Sequence, residues 1–160
     1  MKANNGKGNN PLRDGWRTPS EIFNPLNVQY NFTFDCCASE ENNKCNAWHN
    51  EFEKVEKGFL DPDIAWMNPP FSIAWKMFEQ FFKVVKKGVA IYRVDNLETG
   101  LWHKVILPNC SWVFIPNKRV CYEGLDGDGA RFPSALIGIG VDPPKTLGGI
   151  TLKPLTREHN

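Results

Sequence analysis

Apolar residues along this chain follow two periods, and the switches between them mark out its elements. From Ser72 to Lys87, Trp75, Phe78, Phe82 and Val85 recur three or four positions apart, which predicts an amphipathic helix with that face on a core. Lys83, Lys86 and Lys87 crowd its last turn and Gly88 closes it, a C-terminus that suits the helix dipole. Short apolar runs predict buried strands at Asn31–Asp35, Ile64–Met67, Gly88–Val94, Ser111–Pro116, Arg119–Glu123 and Ser134–Val141. Thr18-Pro19-Ser20-Glu21 reads as a helix start, with Thr18 as N-cap, Pro19 at the first helical position and Glu21 reaching back. Ile22, Phe23 and Leu26 would then face the core, and Pro25 would keep the helix short or kinked.

Between these elements lie a polar, irregular stretch from Ala38 to Lys57 with room for one short helix, a helix over Glu98–Ile106, and the turn-rich Gly124–Pro133. Residues 1–14 hold almost nothing to bury and read as a mobile arm. A folded domain is expected over 15–143, followed by a tail, 144–160, that pairs at most at a sheet edge. Strands alternate with helices early and follow one another late. That order predicts an α/β fold whose sheet is mostly parallel, with an antiparallel hairpin at one side.

The stretch Ile64–Phe71, IAWMNPPF, is the least ordinary. Its two prolines donate no N–H, so the strand must end there. Asn68 is thereby left at a strand terminus on a stiff backbone, beside the ring of Phe71. Ligands of open α/β sheets gather beyond such C-terminal ends, where Asp35 also falls. No G-x-G-x-x-G or phosphate-binding loop follows a strand, and no Ser-His-Asp set presents itself. His49 and His103 are isolated and read as structural.

Composition narrows the class further. The 160 residues are 41% hydrophobic and 23% charged, which is globular. No apolar run reaches membrane-spanning length and no signal-peptide core opens the chain, so a soluble, intracellular protein is expected. A net charge of +1 means that a polyanion would have to be held by a local patch. Five cysteines without a secretory signal argue against a disulfide framework. Cys36, Cys37, Cys45 and His49 are legitimate zinc ligands, but adjacent cysteines lack the usual gap, and buried thiols are the favoured reading.

Asn68-Pro69-Pro70-Phe71 resembles the (N/D)PP(Y/F) motif of amino-group methyltransferases. In order, GWRTP, FTFDCCASEENNKC, WMNPPF, LETGLWHKV, NKRVCYEG and RFPSALIGIG resemble the blocks of the phage-type DNA N6-adenine methyltransferases over residues 15–140. The resemblance implies a single-domain, Rossmann-like fold that uses S-adenosylmethionine, acting on double-stranded DNA in the cytoplasm of a bacterial host. It implies that the Asn68 side-chain oxygen and the Pro69 carbonyl accept the N6 hydrogens of a flipped adenine, that Pro70 stiffens the site and that Phe71 stacks on the base. Cofactor contacts are implied for Thr18 and Pro19, for Asp35, Cys36 and Ala38, and for Asp61 or Asp63 in the segment that begins at Phe59. No metal is implied.

The chain departs from the family pattern where a PAR-T-DT-like run is replaced by RVDNLET, with Arg93 and Asp95 differently placed. No separate recognition domain fits, so DNA contacts fall to Lys118, Arg119 and Arg131, and to Lys2, Lys7 and Arg13 of the arm. Two alternatives stand beside the enzyme: a relic that binds DNA or cofactor without turnover, and a methyltransferase for protein glutamine or another amine.

Overall fold

The computed structural model describes residues 15–40, 42–124 and 131–153, with only the backbone at Arg131. The proposed arm, with Lys2, Lys7 and Arg13, lies outside the described residues. Helix α1 (Ser20–Tyr30) is followed by strands β1 (Phe34–Asp35) and β2 (Ala47–Trp48), a 3-10 turn (Phe52–Lys54) and β3 (Ala65–Met67). A second 3-10 turn (Phe71–Ile73) leads into helix α2 (Ala74–Val84) and strand β4 (Gly88–Arg93). A π-helical segment (Leu101–Ile106) then continues as the single turn α3 (Leu107–Asn109). The remaining strands are β5 (Trp112–Pro116), β6 (Val120–Cys121), β7 (Arg131–Phe132), β8 (Ser134–Ile139) and β9 (Gly149–Leu152). No helix among the described residues is long and apolar enough to cross a membrane.

The fold is mixed α/β, with a seven-stranded sheet in the order β2-β1-β3-β4-β8-β5-β9 and a separate β6-β7 ribbon. Pairings β1–β2, β1–β3 and β3–β4 are parallel; β4–β8, β5–β8 and β5–β9 are antiparallel. The α/β class expected from the sequence holds, and the sheet is mixed: half the pairings are antiparallel, and the reversed strand β8 lies inside the sheet rather than in a hairpin at its side. The physical reason is burial: Ser134 to Gly138 are all buried, so β8 needs cover on both faces and neighbours on both edges. Gly138 is required there because the Trp112 indole of β5 lies across it, 2.1 Å from where a Cβ would stand. β9 takes the edge, as the sequence of the tail predicts.

Side chains alternate across the sheet. Ala65, Met67, Ala90 and Tyr92 join the Met77, Phe78 and Phe81 face of α2 and Trp102 of the π-helical segment. Trp66, Val89 and Ile91 join Ile22, Phe23 and Leu26 of α1 on the opposite face. The core is therefore two layers divided by the sheet.

Local details differ from the sequence pattern at several points. α1 begins at Ser20 with Pro19 as its N-cap and no side-chain cap, so Thr18 does not cap it. Pro25 lies inside α1 without ending it, and the helix closes at Asn31 in a left-handed conformation (φ 53°). In α2 the buried stripe is Ala74, Met77, Phe78, Phe81 and Val84, while Trp75 is 43% exposed. Gly88 opens β4 rather than capping α2, which ends at Val84 with Val85 as its C-cap. β2 falls within the stretch read as irregular, and the segment expected as a helix from Glu98 begins at Leu101.

Candidate active site

The chain leaves β1 for β2 on one side, then returns to place β3 on the other side of β1. This reversal is the point where open α/β sheets form a crevice outside their C-terminal ends. Asp35 ends β1, and Asn68 follows the last residue of β3. Phe34 and Asp35 lie in register with Ala65 and Trp66, so both polar groups emerge at the same edge. Tyr92 and Arg93 reach that edge from the end of β4, as does the start of β8, where Ser134 faces Arg93.

Asn68 is half-buried and donates its side-chain N–H to the backbone carbonyl of Trp16 at 3.1 Å. A carbonyl only accepts, so this bond fixes the amide: its NH2 end meets Trp16 and its Oδ1 is the acceptor end directed elsewhere. The segment that carries Trp16 is itself anchored, since Arg17 and Glu123 exchange backbone hydrogen bonds of 2.8 and 2.9 Å. Pro69 is buried, and the carbonyl of Pro70 accepts the Ile73 N–H, which starts the turn into α2.

Phe71 stands among rings contributed from across the fold. Trp16, Tyr92, Tyr122 and Phe132 lie 5.7–6.3 Å from it at interplanar angles of 73–87°. Among the described residues no ring lies parallel on Phe71. Beside it opens a cleft of about 430 Å³ lined by Phe71, Ile73, Trp75, Tyr92, Asn96 and Leu101. That is within the 300–1,000 Å³ range of small-molecule sites. Trp75 is fixed on the rim by a 2.6 Å bond from its indole N–H to Glu79 and by the bare face of Gly100 beneath it.

Asp35 is buried at 3% exposure, and its two oxygens accept the backbone N–H groups of Cys37 (3.3 Å) and Lys44 (2.9 Å). Burial raises its pKa to about 6, against the lowering effect of those two bonds and of the Lys44 charge. The carboxylate thus shapes the loop from Cys36 to Lys44. The Cys36 side chain is in the core, with its N–H on the Trp66 carbonyl, and the Ala38 N–H meets the His49 carbonyl. All five cysteines are free, and burial pushes the thiols of Cys36, Cys37 and Cys45 up. Among the described residues no group of three His, Cys, Asp or Glu side chains is placed to hold a metal.

Thr18 is 1% exposed, and its hydroxyl has no hydrogen-bond partner among the described residues. A buried hydroxyl left so costs about 1–3 kcal/mol. Thr18 and Pro19 sit two and three residues from the Trp16 carbonyl that holds Asn68. Asp61 and Asp63 are not brought to this edge. They precede β3, where Asp61 pairs with Lys86 at 2.7 Å and Asp63 accepts from Thr33 at 2.8 Å. Lys118 and Arg119 are exposed in the turn after β5. β5 runs in the direction of β4, because both oppose β8, so this turn lies at the same edge as Asn68. The Arg131 side chain lies outside the described atoms.

Sequence reasoning missed Trp16 as the group that orients Asn68, and Tyr92, Tyr122 and Phe132 as neighbours of Phe71. The available signal was aromatic residues in or beside strands that reach the same sheet edge. Fold and site together define an α/β protein with a fixed amide acceptor and an aromatic cleft beyond the C-terminal ends of β3 and β4. Its lineage is specific: the family model described as DNA N-6-adenine-methyltransferase (Dam) matches residues 5–130, and the chain belongs to that family. No curated protein and no solved structure matches it.

Proposed function

We propose that this chain methylates the exocyclic N6 amine of adenine in double-stranded DNA, using S-adenosylmethionine in a Rossmann-like methyltransferase fold. The observation that carries the reading is the Trp16–Asn68 bond, which leaves Asn68 Oδ1 as a preset acceptor beside Phe71. Family membership supports adenine in DNA as the substrate.

The adenine amine is a poor nucleophile because its lone pair is delocalised into the ring. Asn68 Oδ1 and the Pro69 carbonyl accept its two N–H groups, favour a pyramidal nitrogen and stabilise the positive charge that develops there. Both acceptors are held before the base arrives, so little reorganisation accompanies the reaction. Phe71 stacks on the base. Neither acceptor is a strong base, and the proton lost from the amine passes to water. In a duplex the amine is buried in the stack, so the adenine must swing out to reach the recessed Asn68.

S-adenosylmethionine supplies, when bound, an electrophilic methyl carbon on a cationic sulfur. The residues present fit it: the Thr18 hydroxyl, without a partner among the described residues, would offer a hydrogen bond beside Pro19, and the Asp35–Ala38 loop at the end of β1 would supply further contacts. Asp61 and Asp63 are spent at the other edge and are left out of this site. Lys118 and Arg119 meet DNA phosphates. The test is incubation of the purified chain with unmethylated genomic DNA and methyl-labelled cofactor. Label in N6-methyladenine is the expected result. Cofactor binding without label in DNA, or label in protein instead, would contradict the reading.

A further inference from the structure

Arg93, the last residue of β4, and Asp95 just beyond it are coupled to the ring beside Asn68. The Arg93 guanidinium donates to Asp95 through Nε to Oδ1 (2.6 Å) and Nη2 to Oδ2 (2.5 Å), a two-bond fork. The same planar group lies 5.8 Å from the centre of Phe71 and 4.8 Å from that of Phe132. The backbone is held in turn, since the Trp102 indole N–H is 3.3 Å from both the Arg93 carbonyl and Asn96 Oδ1. The two side chains are only 24% and 33% exposed, so solvent screens the pair incompletely.

This arrangement places a guanidinium beside a site where a cationic methyl donor meets an amine that is itself becoming cationic. An unpaired guanidinium there would oppose the reaction. Paired to Asp95, it keeps its flat face and loses its net charge. We propose that Arg93 and Asp95 form a charge-neutral positioning pair, in which Arg93 fixes Phe71 against the methyl-accepting base and Asp95 cancels the guanidinium charge beside the amine. Arg93 acts through Phe71 and is a positioning residue. The inference rests on the adenine-methyltransferase reading above.

The test compares the full chain with Arg93→Met, Asp95→Asn, the double variant and Arg93→Lys on unmethylated DNA with methyl-labelled cofactor, alongside thermal midpoints. Arg93→Met removes the fork but keeps an apolar stem, and kcat should fall about tenfold with the KM for DNA within about twofold. Asp95→Asn leaves the cation uncompensated and should cost about a hundredfold. The double variant should recover to the Arg93→Met rate, a rescue that loss of packing alone does not produce. Arg93→Lys, with charge but no fork, should fall between parent and Asp95→Asn. A double variant slower than Asp95→Asn, or single variants as fast as the parent, would overturn the pairing. Rates that simply track thermal midpoints would overturn it too. A parent chain that transfers no methyl overturns the methyltransferase reading and this one with it, whereas an active parent with unaffected variants overturns this one alone.

Discussion

The Asn68 side chain is tied to the Trp16 backbone carbonyl across 52 residues of sequence. One hydrogen bond therefore joins the strand exit to the N-terminal segment and decides which end of the amide is offered to a substrate. Trp16 also meets Phe71 edge-on at 6.0 Å, so the acceptor and the stacking ring share one support.

Thr18→Val tests whether the orphaned hydroxyl serves the cofactor. Valine keeps the shape and removes an unsatisfied polar group, so the thermal midpoint without ligand should hold or rise. S-adenosylmethionine should bind about tenfold more weakly, roughly one lost hydrogen bond, by titration calorimetry. Unchanged affinity would remove Thr18 from the cofactor site.

Asp35 gives a pH signature. Its folded pKa, about 6, lies above the ordinary 3.8, so the folded state binds the proton more tightly. Stability is thus greatest below pH 3.8 for this group, declines as pH rises from about 4 to about 6, and then levels off. Asp35→Asn has no such titration, so its midpoint should be flatter over that range, while losing one of the two loop N–H bonds at every pH. Thermal melts of both chains from pH 4 to pH 7 check this.

Lys118 and Arg119 carry the phosphate contacts proposed above. Replacing both with Ala should weaken DNA binding and reduce the slope of log affinity against log salt by roughly 0.9 for each lost contact. Cofactor affinity should stay as in the parent. An unaltered salt slope would place the DNA elsewhere.

Much of the site was legible because proline chemistry is local. Two successive residues without N–H end a strand wherever it lies, so Asn68 could be placed at a sheet edge from sequence alone. The aromatic box was not legible, because Trp16, Tyr92, Tyr122 and Phe132 come from four separate segments that only the tertiary fold brings together. The face of α2 was misjudged for a different reason. Phe78 belongs to two possible stripes, one with Trp75 and Phe82 and one with Ala74, Met77 and Phe81, and packing on the sheet selected the second. β2 has only two residues, too few for any alternation to show. The continuous apolar run of β8 did carry a sign of its central place, since a strand buried on both faces does not alternate.

The most direct measurement is methyl transfer by Asn68→Ala beside the parent chain, with S-adenosylmethionine affinity measured on the same samples. Removing the preset acceptor should cost at least about a hundredfold in kcat, the scale of losing one transition-state hydrogen-bonding group, while the cofactor still binds. N6-methyladenine formed by Asn68→Ala at the parental rate would contradict the assignment of this amide as the group that receives the amine.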